Sequence, residues 1–286
     1  MLISVLSLKG SPGATTFAVA LAARWPAPAR AVVVEADASG GDLAVRFSLT
    51  STPGLVSLAA AARRGGNADL VWQHTQQLPG GLPVIAAPPD AEQARAALSA
   101  LAQPTSGLDL LREATRQAGV VALVDCGRVD PGSPVLPIVR SSDAIIVLSR
   151  AHADDLAHLP RRLPTVARWS PNPMLLLAGP GYSTSEVARE LGVAPLGRVP
   201  DDPRGAAALC GRAAAPRWLP GRSALGRFAE KVAVELAARQ RTPSPEPEPP
   251  RLLPASPVLH AIPGVPPAAV SPNGVRPAPS PGGQAS

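Results

Sequence analysis

The stretch Leu2-Ile-Ser-Val-Leu-Ser-Leu8, followed by Lys9-Gly10-Ser11-Pro12-Gly13-Ala14-Thr15-Thr16, decides how the chain is read. Its first part is a short apolar run of the kind that makes a buried strand. Its second part is a glycine loop, after which a helical pattern sets in from Thr15, with Phe17, Leu21 and Trp25 at i, i+4 and i+8. Strand, glycine loop and helix N-terminus are the parts of a phosphate cradle. Glycines let successive amides turn toward one anion, and the helix dipole adds partial positive charge. In such a cradle the Thr15 hydroxyl is the magnesium ligand, and the hydroxyl and amide of Thr16 reach an inner phosphate.

Outward from the loop, short apolar runs alternate with helical patterns. Strands are expected at Ala31–Glu35, Leu82–Ala87, Val120–Asp125, Ala144–Leu148, Met174–Ala178 and Leu196–Val199. Helices are expected near residues 54–64, 69–78, 91–101, 108–118, 153–168 and 184–191, and a last long one at 223–239. Strands that are apolar throughout and separated by helices imply an α/β fold. Its sheet is doubly wound, mostly parallel, and covered by helices on both faces. Such a sheet binds ligands at the carboxyl ends of its strands, where the glycine loop falls. From Arg241 onward there are 14 prolines in 46 residues and no apolar periodicity. That composition cannot offset its ordering entropy, so the expected division is a nucleotide-binding domain over 1–240 and a proline-rich disordered tail over 241–286.

Composition narrows the class. Two cysteines in 286 residues exclude a disulfide-built secreted scaffold and point to a reducing compartment. No apolar run reaches the roughly 18–20 residues of a membrane span, and the N-terminal run lacks a basic leader and reads as a strand rather than a signal peptide. The expected location is cytoplasmic. All but two of the 27 basic residues are arginine, and one of the two lysines, Lys9, lies in the glycine loop. The net charge of +6 points toward anionic partners, while on charge alone a solvated basic surface is the better reading.

Against the ordinary phosphate-loop pattern G-x-x-x-x-G-K-[ST], Leu8 replaces the first glycine and Ala14 the lysine. On that template alone a tight structural turn explains the stretch equally well. The loop resembles more closely the deviant Walker A motif of the ParA/MinD family of P-loop ATPases, K-G-G-x-G-K-[ST]-[ST]. Lys9, Gly10, Gly13, Thr15 and Thr16 match it, while Ser11 stands for a glycine and Ala14 for the second lysine. Val33-Val-Glu-Ala-Asp37 is similar to the family's second strand, which ends in D-x-D. Val121-Ala-Leu-Val-Asp125 is similar to its Walker B strand, and Leu196-Gly-Arg-Val-Pro200-Asp-Asp202 to the late strand near the adenine. The resemblance spans roughly residues 1–240.

What the resemblance implies is a homodimer that binds ATP and Mg2+. Gly10, Ser11, Gly13, Ala14, Thr15 and Thr16 would hold the phosphates, and Pro200 and Asp202 the base. Thr15, Asp37 and Asp125 would serve the metal. Lys9 would reach the partner's nucleotide, and Asp37 would orient water or sense the γ-phosphate. With no lysine at 14, the nearby cations are Lys9 and an arginine of a neighbouring loop, Arg128 or Arg150. The family's base-recognising asparagine is replaced by Ala178. The expected function is an ATP-gated dimer switch in chromosome or plasmid partitioning, or in positioning another assembly, with weak hydrolysis. The rival is a pseudo-ATPase scaffold without turnover, and a ligase or kinase of the same superfamily stands third.

Residues 198–241 hold nine basic side chains against four acidic ones, a candidate surface for non-specific DNA. A composition-imposed arginine face is the alternative. The stripe Leu225, Phe228, Val232 and Leu236 reads as core packing rather than as a membrane-targeting helix. His74, His152, His158 and His260 lack metal-ligand spacing and read as surface residues, and Asp42 reads as a plain loop residue.

Overall fold

A computed structural model describes residues 1–103, 107–212 and 222–241, with side chains to Arg239. Of the expected proline-rich tail only Arg241 is described, and it ends the last helix; residues 242–286 and Arg217 lie outside the described residues. The strands are β1 (Leu2–Ser7), β2 (Arg30–Glu35), β3 (Gln76–Leu78), β4 (Leu82–Ile85), β5 (Val120–Arg128), β6 (Ala144–Ala151), β7 (Pro173–Gly181) and β8 (Gly197–Val199). Among the described residues they form one eight-stranded sheet in the order β3-β4-β2-β5-β1-β6-β7-β8. Every pairing is parallel except that of β3 with β4.

The first helices are α1 (Ala14–Ala23), α2 (Leu43–Arg46), α3 (Leu55–Ala62), α4 (Asp69–Gln73), α5 (Ala91–Leu101) and α6 (Gly107–Arg116). After β5 come α7 (Leu136–Arg140), α8 (Ala153–Leu156), α9 (Leu159–Val166), α10 (Thr184–Leu191), α11 (Pro203–Leu209) and α12 (Ala224–Arg241).

The central strands are apolar at successive positions because both faces of the sheet are covered. Leu2 and Leu6 of β1 enter the core layer that α3, α5 and α6 complete, while Ile3 and Val5 enter the opposite layer with α1 and α12. Helix α1 is buried nearly all round rather than along the single stripe expected of it, and Trp25 lies beyond its end. Phe17 of α1 meets Phe228 of α12 with ring centroids 6.2 Å apart and planes tilted by 52°. Leu225, Val232 and Leu236 are buried in the same layer, so the α12 stripe is core. No helix among the described residues is long and apolar enough to cross a membrane.

Two expected helices are shorter than their patterns. The one over 153–168 is two, α8 and α9, with Pro160 in the first turn of the second. Proline has no amide N–H to continue a helix but suits the start of one. The one over 69–78 stops at Gln73, and Gln76–Leu78 instead forms the antiparallel edge strand β3.

Candidate functional site

Beyond the carboxyl end of β1 the chain turns through the glycine loop. The Ser7 hydroxyl donates to the Gly10 carbonyl at 3.1 Å. Gly10 (φ 65°) and Gly13 (φ 96°) are both left-handed, a conformation that side chains resist. Gly13 is the residue before α1, and no side chain caps that helix. The amides of its first turn are therefore left for a ligand or water. Ala14 is buried at the helix start.

Loop and helix form one wall of a cavity of about 600 Å³, which Thr15, Thr16, Asp37, Asp42, Arg46 and Arg128 also line. Ser11, Cys210 and Arg212 are also among its lining residues. The cavity thus brings together Gly10, Ser11, Gly13, Ala14, Thr15, Thr16 and Asp37 from the sequence reading, along with Arg128. Lys9 is exposed, outside the lining, and makes no hydrogen bond or ion pair among the described residues. Arg150 reaches the outer side of the loop, its Nη2 at 3.5 Å from the Ser11 carbonyl.

Three carboxylates stand at the strand ends. Asp125 is fully buried, with Oδ1 accepting from the Gly127 amide at 3.2 Å and Oδ2 without a properly oriented donor among the described residues. Burial raises its pKa to about 6; the Thr15 hydroxyl beside it and the Gly127 amide oppose the rise, and Asp37 adds to it. Glu35 lies opposite in register and is also buried. Its Oε1 accepts from the amides of Asp42 (2.7 Å) and Leu43 (3.0 Å), and its Oε2 from that of Ala87 (2.9 Å). Burial lifts it to about 7 against those three hydrogen bonds, with Asp125 pushing the same way. Asp37 is half-buried and its pKa is raised, chiefly by burial, while the Ser39 amide holds it down. A Cβ at Gly127 (φ 55°) would collide with the Asp37 carboxylate, so β5 and the loop after β2 close up only around glycine.

Asp42 is more than a loop residue. It lines the cavity and forms an ion pair with Arg46, four residues on. The sequence reading did not place Arg46, Cys210 or Arg212 at this cavity; Arg212 counted there only among the nine basic residues of 198–241. The i, i+4 spacing of Asp42 and Arg46 was the one available signal for the first of them. Nothing local marks Cys210, whose Sγ lies 2.9 Å from the Thr16 hydroxyl. Cys126 is wholly buried, and burial pushes its thiol pKa far up.

A second cavity of about 200 Å³ adjoins the loop through Gly13 and Thr16, and Val199, Pro200 and Asp202 line its far side. The Asp202 carboxylate is committed there. It accepts from the Gly205 amide at 2.8 Å, capping α11, and from the Leu225 amide at 3.0 Å. Burial works to raise its pKa, but these hydrogen bonds outweigh it and the net shift is downward.

The residues suit a polyphosphate with a divalent cation. The glycine loop leaves helix amides unused, and Asp125 keeps a buried oxygen that no well-aligned donor among the described residues fills, with the Thr15 hydroxyl close to the carboxylate. No cluster of three or more His, Cys, Asp or Glu side chains able to hold a metal occurs among the described residues. A cation here therefore takes most of its ligands from phosphate and water, as magnesium commonly does.

In the basic region Arg204, Arg222, Arg227 and Lys231 are exposed. The Arg198 guanidinium donates to the carbonyls of Gly179 and Tyr182, and Arg239 pairs with Glu235 at 2.7 Å. His152 and His158 are exposed as expected. His74 is instead half-buried, with Nδ1 2.8 Å from the Ser57 hydroxyl, and His260 lies outside the described residues.

No protein-family model and no curated protein matches the chain. Solved structures do. A ParA family ATPase from Chlorobium tepidum TLS aligns over 82% of this chain and 98% of its own, with 16% identity and a TM-score of 0.65. The septum site-determining protein MinD of Pyrococcus horikoshii OT3, complexed with Mg-ADP, aligns over 84% and 97%, with 16% identity and a TM-score of 0.62. A plasmid partition protein of Borrelia burgdorferi B31 bound to AMPPNP aligns over 84% and 98%, with 12% identity and a TM-score of 0.54. The chain has the fold of the ParA/MinD ATPases.

Proposed function

We propose that this chain is a ParA/MinD-like nucleotide-binding protein. In this reading it is an ATP-gated homodimer switch in chromosome or plasmid partitioning, or in positioning another cellular assembly, with weak ATP hydrolysis. The observation that carries the reading is the glycine loop. Gly10 and Gly13, both left-handed, open α1 onto a cavity of about 600 Å³, with Thr15 beside the half-satisfied Asp125. That structures of this fold hold Mg-ADP and AMPPNP supports the choice of ligand.

The roles follow from the chemistry of each group. The amides from Gly10 to Thr16 bind phosphate oxygens, with the helix dipole behind them. Thr15 and Asp125 hold Mg2+, directly or through water, and the cation supplies positive charge to the phosphates when bound. Asp37, on the cavity wall, holds water and can take its proton. Its raised pKa makes it a stronger base than a free aspartate. Pro200 flanks the base, and Asp202 contributes through its backbone because both carboxylate oxygens are engaged. Lys9, exposed and without a partner among the described residues, is available to the nucleotide of a second copy. The cell compartment in this reading is the cytoplasm, and residues 241–286 are a tail dispensable for folding. The exposed arginines of α11 and α12 give weak, salt-sensitive DNA contact.

Ala14 favours a second reading, a pseudo-ATPase scaffold that keeps the fold and the dimer surface without turnover. Calorimetric titration with Mg-ATP, followed by a phosphate-release assay, separates the two. Binding with slow release supports the switch, and binding without release supports the scaffold. Absence of binding removes both nucleotide roles. Gel-filtration mass with and without ATP tests the gated dimer.

A further inference from the structure

A triphosphate needs a cation close to its outer oxygens, and α1 offers none, because position 14 is a buried alanine. Among the described residues, three arginines line the cavity: Arg46, Arg128 and Arg212. Arg128 and Arg212 are exposed, so solvent and salt screen them. The Arg46 side chain is 17% exposed. An attraction between charges strengthens as water is excluded, so the shielded guanidinium is the effective one.

Its surroundings hold it ready. The Asp42 carboxylate, itself 60% exposed, pairs with Nη2. The other terminal nitrogen, Nη1, faces Cys210 Sγ at 3.7 Å, and that sulfur is 2.9 Å from the hydroxyl of Thr16 in the glycine loop. Sulfur is a weak acceptor, so an N–H resting on it is a donor that a phosphate oxygen would claim. The backbone is fixed as well. Gly211 (φ 68°) is packed so tightly on the end of α2 that a Cβ there would stand 2.7 Å from the Arg46 carbonyl.

We propose that Arg46 is the phosphate-binding cation of this cavity and supplies the charge that the glycine loop lacks. Its planar fork presents paired N–H donors to two oxygens of a polyphosphate in one fixed geometry, where a lysine from α1 would offer a flexible point charge. The inference rests on the nucleotide reading only in requiring a polyphosphate in the cavity.

The test titrates Mg-ATP, and separately inorganic tripolyphosphate, into the full-length chain. Wild type, R46Q, R46K, R212Q and the double variant R46Q/A14K are compared, each with its melting temperature. R46Q should weaken both ligands about tenfold or more, the scale of one charge-assisted hydrogen bond, and R212Q by less than about threefold. R46K should fall between wild type and R46Q, and A14K should restore the binding lost in R46Q. Wild-type affinity in R46Q overturns the proposal, as does an equal loss in R212Q. Should R46Q fail to fold, R46K decides: binding equal to wild type for both ligands overturns it. Binding of tripolyphosphate but not ATP, with Arg46 dependence, ends the nucleotide reading and leaves this inference standing. Binding of neither by the wild type ends both.

Discussion

Glu35 at the end of β2 and Asp125 in β5 face each other in register, and solvent reaches neither. They differ in how their oxygens are used. Three backbone amides, from two separate loops, converge on Glu35, and a Cβ at Gly41 would collide with its carboxylate. It is a tie that fastens β2 to the loop before α2 and to the end of β4. Asp125 has one amide donor and an oxygen left over, beside the Thr15 hydroxyl. A buried acid filled by backbone donors is consumed by the fold. One with an empty oxygen keeps capacity for a cation or a water, and that contrast separates structure from chemistry at this site.

The contrast is exposed first by removing Glu35. Glu35→Ala strands the buried amides of Leu43 and Ala87 and the part-buried amide of Asp42, so it should cost on the order of 3–5 kcal/mol in urea denaturation at pH 7.5. A cost under about 1 kcal/mol would mean that water replaces the tie.

Acidity comes next. Both carboxyls titrate higher in the folded chain than in the unfolded one, so between roughly pH 4 and 7 the folded state holds protons that the unfolded state has released. Stability should therefore fall as pH rises through that window, by a combined amount on the order of 3 kcal/mol for two coupled neighbours. Glu35→Gln should flatten the fall in a melting-temperature series from pH 4.5 to 7.5. A wild-type profile that is level or rising would contradict the burial argument.

Asp125→Asn is expected to change stability by no more than about 1 kcal/mol, because it deletes a buried charge with a vacant oxygen. It should nevertheless weaken Mg-ATP binding in calorimetry. A destabilisation matching that of Glu35→Ala would erase the distinction between the two acids. The smallest effect belongs to Lys9→Ala, within about 0.5 kcal/mol of wild type as for a typical exposed surface side chain. Its consequence should be loss of the ATP-dependent dimer in light scattering; a variant that still dimerises with ATP would show the loop lysine to be idle.

Much of this was legible in the sequence, where local pattern and tertiary environment agree. The run Leu2–Leu8 and the glycine loop behind it appear in place, and six further strands lie within a few residues of their patterns. β5 runs on past Asp125 to Arg128, because its pairing with β1 resumes after an irregularity between Val5 and Ser7. What could not be read depends on partners distant in sequence. β3 has no apolar alternation of its own and exists only by pairing with β4. Cys210 and Arg212 join the cavity because α11 brings them back to α2. Asp202 had the right residue type and place, but its side chain serves two helix starts, which spacing does not disclose.

The described sheet begins with β3 and ends with β8, three residues each. Strands that short offer little unpaired backbone for a neighbouring molecule to zip onto, which protects a sheet rich in valine and leucine from growing edge to edge into aggregates. Two copies that associate through the described part of the chain must then do so face to face through loops and helices. Such a contact can be remodelled by whatever occupies the space between them.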